Sequence, residues 1–132
     1  MKRIILVCLL VAGLLLAASC RGGSNGEATA SMVIEDTIRG YVTTFNAEDF
    51  DKCLTYFTDY GDEEDALAFL SYMKGISGSL ELQEIKDIGI VPVAVPGGSR
   101  TATATIIFTI SGKEGTDQIR LKEVDGDWKI IW

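Results

Sequence analysis

The stretch Arg100-Thr101-Ala102-Thr103-Ala104-Thr105-Ile106-Ile107-Phe108-Thr109-Ile110-Ser111 alternates with a period of two. Ala102, Ala104, Ile106, Phe108 and Ile110 share one face, while Thr101, Thr103, Thr105, Ile107 and Thr109 share the other. That pattern predicts a β-strand with an apolar side to cover. Downstream, Gly112 to Gly115 reads as a turn, and the next strand sets Ile119 and Leu121 against Gln118, Arg120 and Lys122. Asp125-Gly126 then predicts a tight hairpin, because a type I′ turn needs positive φ at both central residues. Asp127 to Trp132 closes the sheet with Trp128, Ile130 and Trp132 on a single face. Upstream, Leu80 and Leu82 alternate with Glu81 and Gln83. A shift is expected near Lys86-Asp87, after which Ile88 to Val95 continues extended. Pro92 and Pro96 confine that segment to a sheet edge, since proline cannot donate to a ladder.

Before Leu80 the period is helical. Ile34, Ile38, Tyr41, Val42 and Phe45 predict a first helix over 31–46, with Thr29 or Ser31 as N-cap and Asn46 as the stop. Asp49 can cap a second helix in which Phe50, Cys53, Leu54 and Phe57 line one side, ending near Asp59-Tyr60-Gly61. A third begins with Asp62, Glu63, Glu64 and Asp65, carboxylates that suit the positive end of a helix dipole. Ala66, Leu67, Phe69, Leu70 and Met73 are its expected buried side, and Gly75 to Gly78 end it. Helices gathered first and antiparallel strands gathered after them indicate an α+β fold, with N-terminal helices packed on one side of a curved antiparallel sheet.

Two local stretches carry a family resemblance. Asn46-Ala47-Glu48-Asp49-Phe50-Asp51-Lys52-Cys53-Leu54 resembles the opening helix-turn-helix of nuclear transport factor 2-like domains, in which a short polar link with an acidic residue starts the second helix. Val124-Asp125-Gly126-Asp127-Trp128-Lys129-Ile130 resembles the final hairpin of the same superfamily, especially of small bacterial lipoproteins of unknown function. The resemblance covers about residues 31 to 132. It implies a cystatin-like cone, also seen in SnoaL-like members, whose pocket lies between the helices and the concave sheet. Some members, such as ketosteroid isomerase and the SnoaL-type cyclases, are enzymes and many bind without chemistry, so the fold does not fix the function.

The first nineteen residues have the order of a secretory signal: Lys2 and Arg3, an apolar run from Ile4 to Ala18, then Ser19 before Cys20. The run is shorter than the roughly 20 residues that cross a bilayer. Ala17-Ala18-Ser19-Cys20 resembles the lipobox of bacterial lipoproteins, although the usual leucine sits one place early, at Leu16. An ordinary signal-peptidase site would cut the same bond and leave Cys20 as a free thiol. We expect cleavage before Cys20 and attachment of palmitate-type acyl chains there, because an exposed unpaired thiol is a liability in an oxidising compartment. Residues 20–30, rich in Gly, Ser, Asn, Ala and Thr, are expected to form a flexible tether. The anticipated location is the extracytoplasmic face of a cell membrane, whether inner or outer.

Cleavage leaves 113 residues carrying ten basic and nineteen acidic side chains, a formal charge of −9. So acidic a surface disfavours nucleic acid and electrostatic docking on anionic lipid, which leaves acyl chains to hold the membrane. Of three cysteines, Cys8 lies in the leader and Cys20 is assigned to lipid, so Cys53 has no partner for a disulfide. It reads as a small buried hydrophobe on the apolar face of the second helix. The chain contains no histidine, which removes Ser-His-Asp and Cys-His nucleophile activation, histidine base catalysis and nearly all zinc sites.

The candidate pocket residues are Tyr41, Tyr56, Ala102, Ala104, Phe108 and Trp128. Asp36 and Asp59 are the nearby carboxylates that a tyrosine could use, but the inward face from Ala102 to Ile110 supplies none. The acidic run Asp59 to Asp65 fails the EF-hand template, since counting Asp59 as position 1 puts Gly61 at 3 and Leu70 at 12, where oxygen ligands are needed. Ala102 and Ala104 either let a helix approach closely or leave room for a ligand. The threonine-rich face can be solvated or can pair with another subunit as a homodimer. The preferred reading is a non-catalytic module that binds a small apolar ligand or an envelope protein, with no cofactor, no metal and no assigned catalytic residue. The alternative is a small isomerase- or cyclase-like enzyme using Tyr41 or Tyr56 with a carboxylate. A buried carboxylate within hydrogen-bond reach of a tyrosine would favour chemistry, and an apolar cavity would favour binding.

Overall fold

The computed structural model describes residues 24–132; the leader, the lipidation expected at Cys20 and the first tether residues lie outside that range. The chain divides into two units, Met1–Ala30 and Ser31–Trp132. In chain order the elements are α1 (Ser24–Asn46), α2 (Phe50–Leu54), β1 (Phe57–Thr58), α3 (Glu63–Ser77), β2 (Leu80–Val91), β3 (Thr101–Ile110), β4 (Lys113–Val124) and β5 (Asp127–Ile131). The five strands form one sheet in the order β1-β5-β4-β3-β2. Every pair is antiparallel except β1 with β5. Helices followed by a curved, mostly antiparallel sheet make the α+β architecture that the sequence pattern implies.

The first helix begins at Ser24, seven residues before the expected start, so Ser24–Ala30 is helical where a flexible tether was anticipated. Extending an existing helix adds one hydrogen bond per residue fixed, and Ala28 and Ala30 resist that extension least. The second helix is shorter than expected. Asp49 caps it through a bond from the Lys52 amide, but it stops at Leu54, and Phe57 belongs to a strand. The final strand takes over the backbone there: the Ile130 amide donates to the Tyr56 carbonyl at 2.8 Å and the Trp132 amide to the Thr58 carbonyl at 3.1 Å. A non-local ladder thus overrides the local helical spacing. Asp62 caps α3 by accepting from the Asp65 amide at 3.1 Å, and Gly78, at φ 70°, ends it.

In the sheet, β3 pairs with β4 without a register break, from Thr101 opposite Lys122 to Ile110 opposite Lys113. The turn between them is Ser111-Gly112, both at positive φ, so Gly115, expected in the turn, sits inside β4 opposite Phe108. A Cβ on Gly115 would come 2.9 Å from the Phe108 ring; the missing side chain gives that ring its seat. The second hairpin turns at Asp125-Gly126 with φ of 51° and 85°, as the dipeptide predicts. The edge strand β2 has two register shifts, one between Leu82 and Glu84 and one between Lys86 and Gly89. Only the second was expected. Each shift resets the two-residue alternation, which keeps Leu80, Leu82, Ile85 and Ile90 opposite Ile110, Phe108, Ile106 and Ala102. The strand ends at Val91, just before Pro92, so the extended run does not continue to Val95.

The core lies between α1 and the inward sheet face. Ile34, Ile38, Ala104 and Leu121 are fully buried, with Ala102, Trp128 and Ile130 nearly so. The Thr37 hydroxyl lies within hydrogen-bond reach of both the Val33 carbonyl (2.9 Å) and the Trp128 carbonyl (3.3 Å). At the other end of the helix, Asn46 bonds the Leu80 backbone in both directions, at 2.7 and 2.8 Å. A second cluster joins Phe45, Cys53, Leu54, Ala66 and Leu70, which fastens α2 and α3 to the end of α1.

Candidate functional site

A cleft opens where the last turns of α1, helix α3 and the inner end of the sheet meet. It has two adjoining lobes of about 440 and 390 Å³. Both lie within the range typical of small-molecule sites. Tyr41, Phe57, Leu80, Ile110, Ile131 and Trp132 line both lobes. The larger adds Ile106, Phe108, Ile119 and Ile130 from the sheet together with Asp117, Gln118 and Arg120. The smaller adds Phe45 from α1 and Phe69, Leu70, Met73 and Ser77 from α3. An aromatic chain runs along the wall: Tyr41 meets Phe57 edge-on at 5.1 Å, and Trp132 meets Phe57 at 5.2 Å and Phe69 at 5.4 Å.

The six candidate pocket residues fall in three places. Tyr41 and Phe108 line the cleft. Ala102, Ala104 and Trp128 are buried in the core beneath α1, so the two alanines serve close approach of the helix. The Trp128 ring also carries the Arg100 guanidinium 5.4 Å from its centroid, and Arg100 in turn pairs with Glu123. Tyr56 lies against Gly40, where a Cβ would come within 2.6 Å of its ring, and it lines neither lobe.

Several cleft residues escaped the pattern. Phe69 was expected inside, yet it is 49% exposed and stands at the rim with Trp132, which is 41% exposed. In α3, burial follows Ala66 and Leu70, whereas Phe69, Tyr72 and Ile76 face outward. Asp117 is the carboxylate missing from β3; it enters the inward face from β4, opposite Ile106. Counting back by twos from the inward Leu121 and Ile119 gives it that orientation from the sequence alone. It is exposed and accepts from the Gln118 amide at 2.8 Å. Among the described residues no hydrogen bond joins a tyrosine hydroxyl to a carboxylate. Asp59 instead pairs with Lys122 at 2.7 Å, and Asp36 is exposed on α1.

The electrostatics fit an apolar site. Burial, with smaller contributions from Cys53 and Asp117, pushes the Tyr41 phenol up to about 12, so it is a neutral hydroxyl at any ordinary pH. A phenol raised in the folded state keeps its proton where the unfolded chain has lost it. The folded state is therefore fully favoured below pH 10 and loses that advantage as pH climbs towards about 12. Urea midpoints across that window should fall, and Tyr41→Phe should flatten the fall; an identical slope in the variant would show that Tyr41 does not cause it. Cys53 is fully buried, with Sγ 3.9 Å from the Tyr41 carbonyl, and burial pushes its thiol up, against a nucleophilic role.

The sequence matches no family model and no curated protein. Similarity appears in the fold. A nuclear transport factor 2-like protein of unknown function from Shewanella oneidensis superposes with a TM-score of 0.52 at 16% identity, over 77% of this chain and 95% of that one. A nuclear transport factor 2-like protein from Campylobacter jejuni gives 0.43 at 14% identity, over 74% and 96%. Among the described residues, three helices, a curved sheet ending in a tight Asp-Gly hairpin and a cleft at the sheet's inner end, together with the Shewanella superposition, give this chain a nuclear transport factor 2-like fold.

Proposed function

We propose that the protein is a binding module held at the extracytoplasmic face of a cell membrane by lipid on Cys20, and that its cleft takes a small apolar ligand. The observation that carries the binding reading is the make-up of the cleft. Aromatic and aliphatic side chains form most of its wall, with Asp117, Gln118 and Arg120 confined to the larger lobe; two large aromatics stand half-exposed at its rim, and the nearest carboxylate is solvated and bonded to its own backbone neighbour. Apolar surface left open to water gains free energy when a ligand covers it, roughly 25 cal/mol per Å². The isomerase- or cyclase-like alternative rests on Tyr41 and Asp117 facing the same lobe. It needs a carboxylate engaged with the hydroxyl, and among the described residues no carboxylate bonds Tyr41.

The test is a titration of the mature protein with an uncharged naphthylamine probe whose emission rises in apolar surroundings. Saturable binding is expected. Met73→Glu and Ile110→Glu each put a charge on the wall and should weaken binding about tenfold or more, equivalent to about 1.4 kcal/mol or more. Asp117→Asn should leave it unchanged. Full affinity in both glutamate variants, with native circular dichroism, would remove the cleft from consideration.

A further inference from the structure

The segment from Ile88 to Ser99 runs twelve residues without a charge, bounded by Asp87 and Arg100, in a chain where nearly a quarter of residues are charged. Its second half is the β2–β3 loop. Residues 91–99 are all exposed, with Val91, Val93 and Val95 at 54, 46 and 63%. Soluble surfaces seldom cluster three bare valines on one protruding loop, and such a patch signals an apolar partner. The loop's backbone suits an apolar medium as well. Pro92 and Pro96 carry no amide hydrogen, and the Gly98 amide donates to the Val95 carbonyl at 3.0 Å, which lowers the number of donors that leaving water would strand.

Its position in the fold names the partner. Thr37 lies beside Trp128 near the start of β5, whereas Asn46 is fastened to Leu80 at the start of β2. Helix α1 therefore runs from the sheet end that carries Val91 and Arg100 towards the end that carries Leu80 and Ile110. The domain's first residues, with Met32 68% exposed and Val33 39% exposed, lie at the loop's end, and the cleft lies at the other. Cys20 is eleven residues before Ser31, a span of at most roughly 40 Å even fully stretched. A lipid on Cys20 would tether this end of the domain within that distance of the bilayer.

We propose that the Val91–Val95 loop inserts into the interfacial layer of the same membrane, so that the domain is held at two points with its cleft turned away from the lipid. The inference rests on the lipid-anchored reading. The contact is apolar: Asp125 and Asp127 in the hairpin at this end of the sheet are repelled by anionic headgroups, so insertion requires neither acidic lipid nor low salt.

The experiment uses the full lipidated chain reconstituted in phosphatidylcholine vesicles, labelled with an environment-sensitive thiol dye at Val93→Cys or, at the opposite end of the sheet, at Glu114→Cys. Buried Cys53 stays unlabelled in the native state. The expected result is a blue-shifted emission at 93 that lipid-borne quenchers extinguish and high salt leaves alone, with a water-like spectrum at 114. Water-like emission at 93 in protein that floats with the vesicles overturns the loop contact alone. Protein that fails to float, and carries no acyl mass, overturns the anchor and the loop contact with it.

Discussion

Replacing Leu121 with alanine is expected to destabilise the domain by about 4 kcal/mol, the upper part of the range for truncating a buried leucine. Leu121 is fully buried on β4, paired on one side with Ala102 and on the other with Ile130. The cost of such a cavity depends on how far its walls can collapse. Here the walls are two ladder-paired strands and a small alanine, and α1 above them is pinned at Thr37 and Asn46. None of these can follow the lost methyl groups inward. A domain of this size has about 5 to 15 kcal/mol of stability in all, so the variant should unfold at a much lower urea concentration with an unchanged slope. Leu121→Met, which conserves volume, should cost less than about 1.5 kcal/mol. A loss under 1 kcal/mol for the alanine variant would mean that the inward face is not the centre of the core.

Asn46→Ala should be the costliest polar substitution, at about 2 to 3 kcal/mol. Its side-chain amide donates to the Leu80 carbonyl and accepts from the Leu80 amide, closing a loop of 34 residues that contains α2, β1 and α3. Removing it strands a donor and an acceptor on a residue only 8% exposed, at roughly 1 to 3 kcal/mol per group. Asn46→Asp keeps the acceptor and regains the donor only when protonated. Its deficit against the native protein should therefore shrink as pH falls through the carboxyl range. Because Leu80 lines both lobes of the cleft, Asn46→Ala should also weaken probe binding under conditions where the protein is still folded. Equal stability of native and alanine variants in urea would show that this bridge contributes nothing.

The two substitutions test different kinds of information. Leu121 was legible as a core residue because the alternation of β4 is local and every inward position follows from its neighbours by twos. Asn46 read only as a helix stop. Nothing within a few residues of it reveals that Leu80, across three elements, will present a bare amide and carbonyl. The cleft divides in the same way. Tyr41 and Phe108 follow from helical and strand periodicity, and so could Asp117 by the same counting. Phe69 and Trp132 could not: both carry the signature of core residues, and their exposure is set by where α3 comes to rest on Phe45, Cys53 and Leu54.

By itself the sequence determined the helices-then-strands order, the inward face of β3, β4 and β5, the Asp125-Gly126 turn and the acidic, histidine-free chemistry that narrows what the protein can do. These are properties of neighbouring residues, carried by the two- and 3.6-residue periods of the backbone and by the few dipeptides that accept positive φ. Only the tertiary structure decided that Phe57 leaves its helix to pair with β5, that β2 slips twice to keep its apolar residues inward, and that an open apolar cleft forms where the elements meet. Each of those outcomes depends on contacts between residues far apart in the chain. Their energies exceed the local preferences they override, and no local pattern records them.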